Sequence, residues 1–128
     1  MTTRRTVVIS GLAAAAAPQL GGAAHAATLH KVSTSKTQML FEPAEIRIRK
    51  GDSVQWRNRS IVRNSVTCDP AKAKKPESVA LPAGARPFDS GLVGQDVLFT
   101  HRFTVPGTYR YFCIEHETMG MIGTVIVE

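Results

Sequence analysis

The 128-residue chain lacks the sequence motifs of the common hydrolases and phosphoryl-transfer enzymes. It has no H-E-x-x-H pair, no phosphate-cradling glycine loop, and no nucleophile turn with Ser, His and Asp in order, so hydrolysis and phosphoryl transfer have nothing to run on. Past the N-terminal region no apolar run approaches the roughly 20 residues that a bilayer-spanning helix requires. Histidines number 4 and never fall as His-x-His; cysteines number 2, Cys68 and Cys113, and Trp56 is the single tryptophan. No internal repeat is present. The length suits one domain with one core.

Charge is also modest. The formal net charge is +6, too small and too dispersed for a nucleic-acid binder. Arg4 and Arg5 open an apolar, alanine-rich stretch that ends in the small-residue site Ala24-His25-Ala26. This is the pattern of a twin-arginine export signal over residues 1–26, cut after Ala26 and too short to anchor in a membrane. Taking Arg4 and Arg5 from the 16 Lys and Arg leaves 14 against 10 acidic side chains, a net +4 for residues 27–128. Such an excess favours encounter with an acidic protein surface. Export implies a periplasmic or secreted location, an oxidising one, where Cys68 and Cys113 could pair.

Chemistry concentrates near the C-terminus. Cys113, His116 and Met121 follow the spacing C-x2-H-x4-M between two strand-like runs, one ending in Tyr109, Tyr111 and Cys113 and the other covering residues 123–128. Thiolate, imidazole and thioether together suit copper, which alternates between soft Cu(I) and harder Cu(II). Met119 is a competing thioether.

This stretch resembles the C-terminal copper loop of plastocyanin-like cupredoxins, and other blocks extend the likeness. Phe41-x-Pro43, Ile46-x-Ile48, Gly51-Asp52, Val54-x-Trp56-x-Asn58, Phe88-Asp-Ser-Gly91 and Phe103-x-x-Pro106-Gly107-x-Tyr109-x-Tyr111 all stand in the family's order. The resemblance implies an all-β Greek-key sandwich of about seven strands over residues 27–128. It also implies one type 1-like copper ion on Cys113, His116 and Met121. Alternation of Ile46 and Ile48, then of Val54 and Trp56, about the Lys50-Gly51-Asp52 turn reads as a β-hairpin with one buried face. Residues 69–87, with four prolines and three lysines, read as a long surface excursion with a helical turn near Pro70 to Lys75.

One position departs from the family. Asn64 stands where the first histidine ligand falls, with the register held by Trp56-x-Asn58 before it and Ser65-Val66-Thr67 after it. An amide oxygen is a weak, hard donor beside an imidazole. His101, on the strand of Phe99 and Phe103, is the alternative imidazole, although its pattern also fits a packed, hydrogen-bonded side chain. Cys68 reads as a half-buried free thiol or as a disulfide partner of Cys113, and Glu115 and Glu117 as facing water.

The functional expectation is a monomeric copper-binding carrier of single electrons, not an enzyme, exchanging electrons with a redox protein of acidic surface. The alternative that Asn64 raises is a copper-sequestering, copper-delivering or metal-free binding module.

Overall fold

Alternating apolar and polar residues along short runs produce two sheets that share one core. The computed structural model describes residues 25–128, so the expected export signal lies outside the described residues except for His25 and Ala26. In chain order the strands are β1 (Leu29–Thr34), β2 (Phe41–Glu42), β3 (Glu45–Ile48), β4 (Ser53–Arg57), β5 (Thr67–Cys68), β6 (Phe88–Asp89), β7 (Leu98–Arg102), β8 (Gly107–Phe112) and β9 (Ile122–Val127). One sheet runs β2-β1-β4-β7 and the other β3-β9-β8-β5-β6. The sandwich is as the sequence implies. The strand number exceeds seven because β2, β5 and β6 hold two residues each, too short for a period to register. Among the described residues no helix is long and apolar enough to cross a membrane.

Trp56 is the centre of the core. Its ring meets Tyr111 edge-on at 5.2 Å and lies within 6.4 Å of Phe88, Phe99 and Phe103, joining residues of both sheets. Tyr111 in turn meets Phe41 edge-on at 4.7 Å, a geometry that aromatic quadrupoles favour. Gly123 is required here, because a Cβ at that position would collide with the Tyr111 ring. The Tyr109 hydroxyl donates to Val105 O at 2.6 Å and fixes the turn that feeds β8.

The expected hairpin over residues 46–57 does not form. β3 pairs in parallel with β9, whereas β4 pairs in parallel with β1 and antiparallel with β7. The Lys50-Gly51-Asp52 turn instead carries the chain from one sheet to the other. Gly51 takes φ of 97° there, and its N–H donates to Phe103 O while Lys50 N–H donates to Glu128 O. Alternation names the face that each strand buries, and both strands do face the core; it does not name a strand's neighbour.

Asp52 seals this crossing from inside. The carboxylate is buried and accepts hydrogen bonds from His25 Nε2 (2.8 Å), His30 Nε2 (3.0 Å), Thr28 N–H (2.9 Å) and Arg49 N–H (3.1 Å). Burial acts to raise its pKa. The hydrogen bonds from His30, Thr28, His25 and Arg49 outweigh that and hold it far below the usual carboxylate range. Because the folded value is depressed, the stabilisation is fully present above about pH 4 and drains away as the pH falls below that. The urea midpoint of the wild type should therefore drop steeply below pH 4. An Asp52→Asn variant should start lower at neutral pH and show a shallower acid slope. Processing after Ala26 would remove His25 and leave the other three donors in place.

Candidate metal centre

The ligand loop is a strand end, a tight turn and a strand start. β8 ends at Phe112, Cys113 caps the six residues Ile114–Met119 that form 3-10 turns kinked at His116, and Gly120 closes them in the left-handed region at φ of 81°. Glycine reaches that region without Cβ strain. Backbone bonds pinch the loop shut: His116 N–H donates to Cys113 O (3.1 Å), Met121 N–H to His116 O (3.3 Å), and Cys113 N–H to Met121 O (3.1 Å).

Three side-chain atoms of the expected site meet. Cys113 Sγ lies 3.3 Å from His116 Nδ1 and 3.4 Å from Asn64 Oδ1, and His116 Nδ1 lies 3.0 Å from Asn64 Oδ1. Asn64 thus supplies the third corner of this cluster through Oδ1. Its backbone is tied to Val93 in both directions, N–H to O at 3.2 Å and O to N–H at 2.8 Å. Met121 is fully buried, whereas Met119 is 67% exposed.

A triangle with edges of 3.0 to 3.4 Å is close to what metal–nitrogen and metal–sulfur bonds of about 2.0–2.3 Å can span. Among the described residues no three His, Cys, Asp or Glu side chains group around one point. The donors that meet here are the sulfur of Cys113 and the imidazole of His116, with the amide oxygen of Asn64 beside them. That donor set is soft and suits copper, with Asn64 as its one weak member.

Ser65 is the support that sequence reasoning missed. Its N–H donates to Cys113 Sγ at 3.4 Å, and its Oγ accepts from Ile114 N–H at 2.9 Å. From Ser65 Oγ a chain runs through Thr67 Oγ1 (2.8 Å) to Asp89 Oδ1 (2.8 Å), and Lys72 Nζ holds the other carboxylate oxygen at 2.6 Å. The Ser-x-Thr step on one face of the β5 approach was its only sequence signal.

Glu117 corrects a second expectation. Glu115 is exposed as expected, but Glu117 is buried, its carboxylate taking N–H bonds from Lys74 (2.9 and 3.0 Å) and Lys75 (3.0 Å). Burial raises its pKa, and bonds from Lys74, Ser78 and Lys75 more than reverse the shift. The carboxylate binds the 69–87 excursion, with its 3-10 turns Pro70–Lys72 and Pro76–Ser78, to the ligand loop. Bare backbone donors in a loop give no pattern in a sequence.

The other candidates lie elsewhere. His101 stacks on Phe88 with centroids 4.0 Å apart and meets Phe103 edge-on at 4.7 Å, with its pKa lowered by burial. His30, which the sequence places in the leader into the domain, is hydrogen-bonded to Asp52 and lies away from the Cys113 and His116 donors. Both cysteines are free. Cys68 is fully rather than half buried, its thiol donating to Ala80 O and Arg110 O, and its pKa is pushed up to about 12 by burial and then by the charge of Asp69. Such a thiol is inert.

Two facing sheets with cysteine, histidine and methionine on the last loop are the architecture of a cupredoxin. Solved cupredoxin structures superpose on it: a pseudoazurin from Sinorhizobium with a TM-score of 0.61 at 27% identity, over 79% of this chain and 74% of that one. A mutant of amicyanin in its oxidized state gives 0.59 at 25% identity, over 77% and 81%. Sequence relatives include the plastocyanin of Synechococcus sp. (strain JA-2-3B'a(2-13)), 32% identical over 95% of this chain and 87% of that protein. The chloroplastic plastocyanin of Tetradesmus obliquus is 33% identical over 77% of this chain, which spans 65% of that relative's length. The family model of copper binding proteins, plastocyanin/azurin family, matches residues 28–128, and the chain belongs to that family.

Proposed function

We propose that the chain is an exported one-electron carrier that holds a single copper ion on Cys113, His116 and Met121, with Asn64 Oδ1 as a weak fourth contact. The observation that supports this most directly is the convergence of Cys113 Sγ, His116 Nδ1 and Asn64 Oδ1 within 3.4 Å of one another. Bound copper supplies one-electron exchange between Cu(I) and Cu(II). The chain supplies rigidity and dryness. Cys113 and Met121 are fully buried, the loop is closed by its own backbone, and Ser65 N–H fixes the sulfur, so the donors have little room to rearrange when the charge changes.

The surface near the site suits a protein partner. Ile61 (84% exposed), Val62, Leu92 and Met119 leave apolar area on the segments that flank Asn64 and His116. Arg63 reaches Glu115 of the ligand loop at 3.7 Å, and Glu117 places Lys74 and Lys75 against that loop. An apolar centre with basic flanks fits a redox partner of acidic surface. Residues 1–26 direct the chain to the periplasm by the twin-arginine route, and residues 27–128 act as a monomer.

A second reading, a protein that sequesters copper or hands it on, is favoured by Asn64, since a weak donor would ease ligand exchange. One experiment separates the two. Residues 27–128 should bind one copper per chain and give a reversible one-electron wave, and Cys113→Ser should lose both the thiolate-to-copper absorption and most of the affinity. Copper that leaves for a competing chelator without any reversible wave would favour delivery. No uptake would end the copper reading.

A further inference from the structure

The hydrogen bonds that lead from the ligand loop to Asp89 run in one direction only. Burial acts to raise the Asp89 pKa, and bonds from Lys72, Gly91 N–H and Thr67 more than reverse that, so the group is a carboxylate at neutral pH. A carboxylate only accepts, so the single proton of the Thr67 hydroxyl lies toward Asp89 Oδ1, 2.8 Å away. Thr67 Oγ1 is then the acceptor for Ser65, whose own proton spans the 2.8 Å between them. The Ser65 oxygen is left to accept from Ile114 N–H at 2.9 Å. Ser65 and Thr67 are fully buried, out of reach of bulk water. Asparagine would not serve at position 89. Asp89 Oδ1 takes Thr67 O–H and Gly91 N–H while Oδ2 takes Lys72 Nζ, and an amide would turn its NH2 group toward one of those donors.

We propose that Thr67 and Asp89 are positioning residues for the copper centre, an inference that rests on the copper site described above. They act through Ser65, which grips Cys113 at two points: its N–H donates to Sγ at 3.4 Å, and its Oγ holds the N–H of the next residue, Ile114. With the Ser65 proton drawn toward Thr67, the Ser65 oxygen is the stronger acceptor. The Cys113–Ile114 peptide is thereby fixed at the start of the ligand loop, and the sulfur keeps its backbone N–H bond. Hydrogen bonding at that sulfur tunes the potential of a copper–thiolate site, since a donor withdraws electron density and favours Cu(I). The relay moves as one body with its surroundings. Val66 N–H donates to Ser90 Oγ and Ser90 N–H to Val66 O, and Asn64 is bonded to Val93 in both directions.

Thr67→Val breaks the relay without changing charge, and Thr67→Ser keeps it. In metal-free protein the Ile114 amide proton should resonate upfield of its wild-type position in Thr67→Val and in Asp89→Asn, because its acceptor is weakened, and Thr67→Ser should restore it. An Ile114 resonance that stays in place in both variants, whatever happens to the unfolding midpoint, would overturn the proposal. In the copper-loaded protein Thr67→Val should move the one-electron equilibrium about tenfold toward Cu(II), a potential lower by about 59 mV, and displace the thiolate-to-copper band. A potential and a band identical to wild type would overturn it as well. Should Thr67→Val not fold, Asp89→Asn carries the resonance test. Wild-type protein that takes up no copper defeats the copper-site reading instead, and that failure is distinct because the Ile114 resonance is read without metal.

Discussion

Asn64→His is expected to raise Cu(II) affinity on the order of 100-fold or more and to strengthen or create the intense blue thiolate-to-copper band. Changing groups that merely support a ligand moves metal affinity by about 10–100-fold, and this change converts a hard amide oxygen into a nitrogen donor that serves both oxidation states. The backbone of residue 64 is held by Val93 in both directions, and its side chain already points at Sγ and Nδ1. The new imidazole therefore starts in the right place. Visible spectra during copper titration of the two proteins, side by side, measure this. A fully blue wild type would show that another group supplies the missing donor.

Asn58→Ala is expected to destabilise the metal-free protein by about 3 kcal/mol or more, and to disorganise the site although residue 58 touches neither Cys113 nor His116. The Asn58 amide is 3% exposed and serves five partners: its oxygen accepts from Thr34 Oγ1, Ser60 N–H and Asn64 Nδ2, and its nitrogen donates to Val62 O and Val93 O. Each buried group left without a partner costs about 1–3 kcal/mol, although entering water recovers part of that sum. Urea unfolding of the metal-free variant measures the stability. Copper affinity in chelator competition should also fall in the molecules that remain folded, because Asn58 holds the Asn64 amide in place, a change that a general loss of stability would not cause.

Much of this was legible in the sequence because its signals are local. The spacing of Cys113, His116 and Met121 needs only one loop between two strands, so the order of residues nearly fixes their proximity. The same holds for the Asn64 departure: Trp56 and Asn58 on one side and Ser65 and Thr67 on the other pin its register, and the structure puts its oxygen at the centre. The choice between Met119 and Met121 was left open by spacing, and burial separates them.

What the sequence could not give depends on contacts between distant segments. Strand alternation showed that β3 and β4 bury one face each, but only the assembled sandwich showed that they belong to different sheets, since every strand with a buried face looks alike until its neighbours are known. Glu117 seemed a solvated acid because its partners are the bare N–H groups of Lys74 and Lys75, some 40 residues away, and every residue but proline carries one. The amino-acid order by itself named the side chains expected to bind copper. Tertiary structure settled which way the Asn64 amide faces, because a planar group with a donor at one end and an acceptor at the other takes its direction from neighbours that only folding brings together.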